Sequence, residues 1–332
     1  MKISFEEVKA TFDAKLQQEG FSPSLAGLNA EIFAKSTLDG YHSHGVNRFA
    51  EFVRNIRKGV IKPVEKPVFS GRLGPIFRFD GGSGPGPSNA HFCMSYAIEE
   101  ARKEVLACVA LQNTNHWMRG GSYGWQAAEA GCISICFTNT MPNMPPWGGT
   151  TVTTGNNPLI ASVPNPNGHI VLDMSLSQFS YGKMYEHRLE GKRLPFAGGF
   201  DQDGKLTDDP SEIIESRRIL QTGYWKGSGL SLILDLLASL LSSGKSTSDI
   251  GKLEAETGLS QVFICIDANQ LSPRDELILK INGIIEHFKS SIPQQEDRPI
   301  RYPGEATAER RERQRTEGIL IDDQIWNQII SL

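Results

Sequence analysis

The sequence predicts a mixed α/β protein that begins with a helical segment and continues into a mixed sheet. Apolar residues recur at helical spacing through the first sixty residues. From about residue 60 onward, short apolar runs alternate with turns rich in Gly, Pro and Asn, which is typical of strands. The chain has 332 residues, of which 39% are hydrophobic, so it is long enough to form one large domain or two interlocked domains.

Three helices are predicted in the first sixty residues. Ser4 and Glu7 have the spacing of a capping box at the start of the first. Ser22 and Pro23 open the second, and Gly40 is placed to end it, whereas the third ends at Gly59. The apolar positions of the three helices form the stripes expected of buried faces: Phe5, Val8, Phe12 and Leu16; Leu25, Leu28 and Ile32; Phe49, Phe52, Val53 and Ile56.

The remaining elements follow from apolar runs and their boundaries. A loop at 81–87 precedes a helix from Ser88 to about Val105, and strands are predicted at 106–111, 132–138, 159–164, 169–174 and 261–267. Later helices are predicted at 228–243 and 273–289. The first of these is apolar around most of its circumference, which predicts burial, with a subunit contact as one candidate for its cover. The run 309–315 alternates in charge and is typical of a solvated helix face.

Composition narrows the function classes. The formal net charge is −4 and no long block of Lys and Arg occurs outside 309–315, so neither nucleic acid nor a membrane is expected as a partner. The five cysteines are odd in number and lie mostly among apolar neighbours, which indicates free thiols in a reducing compartment. Because no apolar signal core or membrane-spanning segment is present, we predict a soluble, cytoplasmic protein.

The run from Asn115 to Gln126 is the densest candidate for a site. It contains His116, Arg119, two tryptophans and three glycines directly after an apolar segment. A core helix rarely contains so many glycines, and a solvated loop rarely contains two tryptophans. The pattern indicates a backbone held close to a small polar ligand, with side chains directed at it.

A second cluster, Tyr41 to Arg48, supplies groups for proton transfer. His44 can donate a proton to a carbonyl oxygen, Ser43 can relay it, and Arg48, one helical turn later, can hold a carboxylate. Equally, Ser43 can cap the third helix while His44 lies at the surface. His42 and His44 would share a face on a strand, but no third ligand accompanies them, so no metal is predicted.

Further residues suit a nucleotide. Asp173 ends the apolar run 170–172 and can orient a histidine or accept a ribose hydroxyl, although taken alone it is more simply a helix cap. The stretches 224–229 and 302–306 place aromatic rings and glycines at predicted helix starts, which suits anionic and planar groups. The chain contains no Gly-x-Gly-x-x-Gly that opens a helix after a strand, so the Rossmann fingerprint would not hold a dinucleotide here.

The stretches 43–48, 115–126 and 223–229 resemble the malate/L-lactate dehydrogenase-like family of NAD(P)-dependent oxidoreductases, and the likeness covers nearly the whole chain. The resemblance implies a homodimer with an NAD(P)-binding fold unrelated to the Rossmann type. In this interpretation, residues 1–75 and 295–332 form a helical, substrate-side portion, and residues 76–294 form the NAD(P)-binding α/β domain.

The resemblance also implies roles for individual residues. His44 would be the proton donor, Ser43 would join its relay, and Asp173 is our placement of the relay acid. Arg48 and His116 would bind the substrate. The implied cofactor contacts are Ile170, Val171, Leu172, Asp173, Met174, Ser175, Tyr224, Trp225, Gly304, Glu305 and Ala306. Glu305, with no Arg beside it, predicts a preference for NADH over NADPH because a carboxylate repels a 2′-phosphate.

The expected activity is NADH-dependent reduction of a small anionic 2-oxo or 2,3-dioxo sugar acid, with 2,3-diketo-L-gulonate going to 3-dehydro-L-gulonate as the first candidate. An L-malate, L-lactate or ureidoglycolate-type dehydrogenase is the alternative within the family. A metal-dependent lyase using His42 and His44 is a remote alternative from another class. A non-catalytic binding protein is least favoured, since it would not need His, Ser and Asp together.

Overall fold

The computed structural model describes all 332 residues. The twelve strands are β1 (Lys2–Ile3), β2 (Val68–Leu73), β3 (Ile76–Asp80), β4 (Leu106–Thr114), β5 (Cys132–Thr138), β6 (Leu159–Val163), β7 (Ile170–Met174), β8 (Gly199–Phe200), β9 (Leu206–Thr207), β10 (Arg218–Ile219), β11 (Leu259–Asp267) and β12 (Ile319–Leu320). The twelve α-helices are α1 (Phe5–Gln18), α2 (Pro23–Leu38), α3 (Val46–Arg57), α4 (Gly86–Glu104), α5 (Gly121–Glu129), α6 (Tyr181–Leu189), α7 (Pro210–Ser216), α8 (Trp225–Ser242), α9 (Thr247–Ile250), α10 (Arg274–Lys289), α11 (Glu305–Glu317) and α12 (Asp323–Ile330).

Seven strands form the main sheet, in the order β2-β3-β4-β11-β5-β6-β7. Only the β3–β4 pair is parallel, and every other neighbouring pair is antiparallel. A doubly wound dinucleotide-binding sheet is mostly parallel, so this topology differs from the Rossmann type. β7 is an edge strand, so one side of its backbone is not paired with another strand of the sheet.

The N-terminal helices pack into a layer with its own core of 21 buried residues, to which α12 and the β1–β12 ribbon also contribute. Aromatic rings fill its centre. The rings of Phe12 and Phe49 stack at 4.1 Å, and Phe33 stands perpendicular to Phe49 at 5.3 Å. The mixed α/β class with an N-terminal helical segment is thus confirmed.

The sheet is covered on both faces. Residues of α4 and α5 pack on one face in a core of 19 buried residues, whereas α8 contributes Leu234 and Ala238 to a smaller core on the other. A separate small unit consists of α6, α7 and the three-stranded sheet β10-β8-β9. The predicted boundary between residues 75 and 76 falls between β2 and β3, which pair with each other. The proposed division into two portions stays a prediction.

Most predicted elements are present. Ser4 and Ser22 cap α1 and α2 by accepting the backbone N–H groups of Glu7 and Leu25 at 3.2 and 3.4 Å. All five predicted strand runs are strands of the main sheet, and all five cysteines are buried and unpaired. The β2–β3 hairpin was not predicted. No helix combines the length and apolar character that crossing a bilayer requires.

Two expectations about helix faces were wrong, those for α2 and for the charged run of α11. In α2, Leu25 and Leu28 are only partly buried, because the face that packs inward carries Ala26, Ala30 and Phe33. The apolar helix α8 is not covered within the chain, since Leu232, Ile233, Leu236, Leu237 and Leu240 are all more than 40% exposed, and its predicted burial at a subunit contact stays a prediction. The charged run in α11 is not wholly solvated, because Arg310 and Arg311 turn inward to bind Asp39.

Candidate active site

A cavity of about 240 Å³, the central cavity, lies where the helical layer meets the end of β7. It brings together residues from both dense sequence clusters and from the strand that carries Asp173. Its lining consists of Tyr41, Ser43, His44, His116, Trp117, Met118, Arg119, Gly120, Thr140, Asn156, Pro158, Asp173, Ser175 and Ser180. Four of the five predicted catalytic and substrate-binding residues therefore share one space.

His44 is presented by a tight connection between α2 and α3. Residues His42–His44 form a single 3-10 turn, and Gly45 follows with backbone angles that lead directly into α3. A Cβ atom on Gly45 would lie 2.3 Å from Thr37 Oγ1, so only glycine fits this close approach. The same Thr37 hydroxyl accepts a hydrogen bond from the N–H of Val46 at 3.0 Å. This bond pairs one of the backbone N–H groups that have no partner within the first turn of α3.

Ser43 therefore does not cap α3, which excludes the alternative role of this residue as a helix cap. Its hydroxyl lies 3.1 Å from Nδ1 of His44 instead. This contact fixes the orientation of the imidazole, since a ring nitrogen held by a hydrogen bond cannot rotate freely. The 3-10 turn also places His42 and His44 differently from the strand that metal binding would need, and no group of three or more His, Cys, Asp or Glu side chains is placed to hold a metal.

His116 stacks beside His44, with ring centroids 5.9 Å apart and an interplanar angle of 24°. Its Nδ1 accepts the N–H of Met118 at 2.9 Å, which Met118 can donate because its φ of 63° turns the backbone back on itself. An imidazole that accepts at Nδ1 carries its proton at Nε2. His116 is therefore a neutral hydrogen-bond donor with a fixed tautomer.

Burial is the main influence on both rings. It lowers the pKa of His44 to about 3, with His116 adding to the effect and Asp173 opposing it. Burial, followed by the charge of Arg48, also lowers the pKa of His116 to about 3. Both histidines are thus neutral at pH 7, and a negative charge close to His44 favours its protonated form.

Asp173 does not cap a helix, because the next helix, α6, begins at Tyr181 and is capped by the side chain of Ser180. Instead, Asp173 Oδ2 accepts from Nε of Arg119 at 3.4 Å. The guanidinium of Arg119 also pairs with Asp39 and lies 3.9 Å above the ring of Tyr41. The acid is thus held by a buried cation and acts on His44 through its charge.

Asp39 is the centre of this charged group, although no sequence motif predicts a role for it. It is 1% exposed and follows the last residue of α2, where a negative charge opposes the helix dipole. Arg311 of α11 binds it with both Nε and Nη2, at 2.7 and 2.8 Å. Burial would raise the pKa of Asp39, but Arg311 and Arg119 outweigh it and hold that pKa below its usual value.

Arg48 occupies a neighbouring space rather than the central cavity. An outer cavity of about 260 Å³ adjoins the central one at His116 and Met118, and Arg48 lines it. Its Nη1 lies 3.1 Å from Glu51, and both side chains are more than a third exposed. Its role as a carboxylate ligand stays a prediction, and it requires the side chain to leave Glu51.

The predicted cofactor residues of β7 and α11 lie next to each other. The N–H of Val171 donates to Pro303 O at 2.9 Å, so β7 is bonded to the turn that begins α11. Gly304 has a φ of 98°, and a Cβ there would lie 3.0 Å from both His169 O and Val171 N. From this turn, β7 runs from Ile170 through Leu172 to Met174. Asp173 of this strand and Ser175, which follows it, line the central cavity.

Tyr224 and Trp225 lie beyond the other end of β7. The N–H of Thr222 donates to Leu176 O at 2.9 Å, which bonds the segment to the chain that continues from the strand. Tyr224 is 50% exposed and Trp225 64% exposed, and Trp147 packs against Tyr224 with ring centroids 5.4 Å apart. The three predicted cofactor segments thus follow one another along a single strand.

Glu305 has an ion-pair partner that is distant in the sequence. It is the first residue of α11 and has no Arg beside it along the chain, but Lys289 of α10 forms an ion pair with it. Its other carboxylate oxygen accepts the N–H of Tyr302 at 3.3 Å. The neighbouring Ala306 lies in the first turn of the same helix. The loop is therefore less acidic than the sequence suggested.

Comparison with known proteins identifies the relatives of this chain. A family profile described as malate/L-lactate dehydrogenase matches residues 3–330. Proteins from several Escherichia coli strains named 2,3-diketo-L-gulonate reductase are 43% identical to it over 333 residues, and the alignments cover 100% of this chain and 100% of each relative.

Solved structures agree with this relationship. Sulfolactate dehydrogenase from Methanocaldococcus jannaschii superimposes with a TM-score of 0.89 at 27% identity, covering 99% of this chain and 95% of that one. Malate dehydrogenase from Entamoeba histolytica gives 0.93 at 23% identity, covering 100% and 96%, and so supports the fold alone. By its family profile, its full-length relatives and its fold, this chain is an oxidoreductase that belongs to the malate/L-lactate dehydrogenase family.

Proposed function

We propose that the protein uses NADH to reduce a 2-oxo or 2,3-dioxo sugar acid, with 2,3-diketo-L-gulonate as the first candidate substrate. The observation that carries the proposal is the central cavity, where His44, His116 and Asp173 meet at the end of β7. The names of the relatives that match over the full length favour the sugar acid over smaller substrates. When bound, NADH would supply the hydride that reduces the carbonyl carbon.

His44 would donate the proton that the new alkoxide oxygen accepts. The Ser43 hydroxyl, 3.1 Å from Nδ1, holds the ring so that its other nitrogen faces the reacting oxygen. The charge of Asp173 favours the protonated ring, and a bound anionic substrate adds to this effect. A bound anionic substrate would therefore raise the pKa of His44 from the low value that burial gives it.

His116 and Arg48 would hold the substrate. Because His116 is locked as a donor at Nε2, it can bind a carbonyl or carboxylate oxygen without exchanging its own proton. Arg48 is paired with Glu51 only at the surface, where such pairs contribute little, so its guanidinium can move to a carboxylate at small cost. Both residues border the outer cavity, which supports a common ligand.

The cofactor would lie along β7. Gly304 has a positive φ and packs closely against the backbone of β7, which places the start of α11 beside the strand, and the exposed rings of Tyr224 and Trp225 offer faces for stacking. The preference for NADH would rest on Glu305. Because Lys289 neutralises that carboxylate in the structure, the preference is best measured in both the native chain and Lys289→Met.

The experiment that tests the activity is oxidation of NADH and of NADPH by the purified protein with a panel of 2-oxo acids. The highest kcat/KM is expected for NADH with 2,3-diketo-L-gulonate. A higher value for oxaloacetate, pyruvate or a ureidoglycolate-type substrate would favour the alternative dehydrogenases of the family. Turnover that a chelator abolishes, with no change in NADH absorbance, would instead indicate the metal-dependent lyase. Comparable efficiency with the two coenzymes would contradict the NADH preference.

We further propose that two copies pair through α8. Five of its large apolar residues are exposed, which is more apolar surface than one helix of a monomer usually presents. Sedimentation at micromolar concentration is expected to give a dimer, and Leu236→Glu together with Leu240→Glu is expected to give monomer. A fully active monomer in the native protein would contradict the proposal. The five free, buried thiols fit the proposed cytoplasmic location.

A further inference from the structure

Arg311 lies outside the central cavity, yet it is connected to it by an unbroken chain of charged contacts. It binds Asp39 with two nitrogens, at 2.7 and 2.8 Å. Asp39 pairs in turn with Arg119, whose Nε is 3.4 Å from Asp173 at the cavity wall. Two carboxylates and two guanidinium groups therefore alternate from α11 to the central cavity, and their formal charges cancel.

Each member of the chain is fixed from more than one side. Arg311 lies 4.3 Å over the ring of Trp125, and Arg310 donates to the backbone oxygen of Asp39 at 3.0 Å. Gly40 makes this approach possible, since a Cβ there would lie 2.5 Å from Cδ of Arg310. If Asp39 moved with Arg119, it would lose its contacts with Arg310 and Arg311. The charged group therefore moves as a unit or stays in place.

We propose that Arg311 is a positioning residue for proton transfer: through Asp39 and Arg119 it sets how strongly Asp173 acts on His44. The inference rests on the proposed function of His44. Arg119 divides its charge between two carboxylates, and the share that Asp173 receives depends on how well Asp39 is neutralised by Arg311. When Arg311 neutralises Asp39 well, Arg119 interacts more strongly with Asp173. When Asp39 is less well neutralised, Arg119 interacts more strongly with Asp39 and less with Asp173.

The sign of the effect follows from the groups that face His44. These are the neighbouring ring of His116, the carboxylate of Asp173, and the cations Arg48 and Arg119. Removing Arg311 leaves Asp39 under-neutralised, so Arg119 moves toward it and the charge of Asp173 is exposed to His44. The protonated form of His44 is then favoured and its pKa rises. Asp39→Asn acts in the opposite direction, because Arg119 is then free to neutralise Asp173.

The test compares Arg311→Leu, Arg311→Lys and Asp39→Asn with the native enzyme. Two measurements are made on each: the pH profile of kcat/KM, and the titration of His44 by NMR in the protein without substrate. We expect the midpoint to rise by about half a unit to one unit in Arg311→Leu, to return toward the native value in Arg311→Lys, and to fall in Asp39→Asn. Arg315→Leu is the matched control, since Arg315 is an exposed residue of the same helix that forms no hydrogen bond or ion pair with Asp39.

A purely structural role would lower the melting temperature of Arg311→Leu and leave the His44 midpoint unchanged, and that result overturns the proposal. An equal shift in Arg315→Leu also overturns it, because the effect would then be long-range charge alone. If Arg311→Leu fails to fold, Arg311→Lys and Asp39→Asn must still shift the midpoint in the stated order. The NMR titration does not depend on turnover, so a failure of the proposed activity is distinguishable from a failure of this inference.

Discussion

Arg119 and Arg48 both act on the histidine pair, but the protein holds them in contrasting ways. The side chain of Arg119 is 3% exposed and is shared between the buried carboxylate of Asp39 and the partly buried carboxylate of Asp173. Arg48 is 37% exposed, and its one partner, Glu51, is 41% exposed and lies on the same helix. Both cations lower the pKa of His44, yet only one of them is free to exchange its partner.

The contrast shows how residues of one type acquire different duties. A buried guanidinium that leaves its carboxylates strands them without compensation, which costs several kcal/mol, so Arg119 is a fixed part of the cavity. An exposed ion pair contributes little and exchanges readily with other anions. We therefore assign Arg119 to the architecture of the cavity and Arg48 to the binding of substrate. The following predictions test that assignment.

The largest effect on activity is expected at His44, the histidine whose pKa both arginines lower. His44→Ala should reduce kcat by roughly 100- to 10,000-fold, the usual contribution of a positioned acid, while the affinity for NADH stays nearly unchanged. Steady-state kinetics and NADH fluorescence measure the two quantities. Turnover near the native rate would show that His44 is not the proton donor, so neither arginine could influence proton transfer through it.

Arg119→Met should lower the free energy of unfolding by about 3–5 kcal/mol, because it leaves Asp39 and Asp173 without the cation between them. Chemical denaturation followed by circular dichroism measures this loss. The matched control is Arg48→Met, which should change stability by less than about 0.5 kcal/mol. Similar losses in the two variants would remove the distinction between a fixed and an exchangeable arginine.

Arg48→Ala should raise the KM for anionic 2-oxo acids by roughly 10- to 100-fold, in line with the loss of a charge-assisted hydrogen bond of about 1.5–3 kcal/mol. The change in kcat should be smaller, because the carboxylate contact is present in both the ground and the transition state. An unchanged KM would place the carboxylate elsewhere. Glu51→Gln provides the complementary variant and should lower KM, since it releases Arg48 from its only partner.

The smallest effect concerns pH. The histidines are expected to bind protons in the unfolded chain near pH 6.5 and in the native cavity only near pH 3, because burial lowers both pKa values. Between these limits the unfolded state binds more protons, so stability falls as pH falls. His116→Asn should reduce that slope by at most about 1.4 kcal/mol per pH unit. An unchanged slope would show that His116 is protonated in the native cavity.

The two arginines also show where sequence analysis succeeds and where it stops. His44 and His116 stood out because each lies in a short stretch dense with Gly, Trp and charged residues. Asp39 did not, because its partners Arg119 and Arg311 are 80 and 272 positions away along the chain. Its one local signal is an acidic residue at a helix C-terminus, which by itself does not indicate a partner. Charged groups assembled over such distances leave no periodicity to detect.

The missed β2–β3 hairpin has a different cause. All but one of the residues of β2 are exposed, since the strand lies at the edge of the sheet, and its sequence therefore lacks the apolar run that revealed the central strands. β3 does alternate between buried and half-buried residues, but it is only five residues long and follows a Gly-Pro turn. Short strands near an edge are recognised from their pairing rather than from their composition.

The double hold of Arg311 on Asp39 also limits how this sequence can change over generations. Losing either partner alone leaves the other partner's charge less well compensated, so a single substitution at position 39 or 311 is expected to be selected against. Replacing both by uncharged residues removes the conflict and leaves Arg119 to Asp173. Positions 39 and 311 should therefore be exchanged as a pair among homologous enzymes, and relatives without the acid should also lack the arginine of α11.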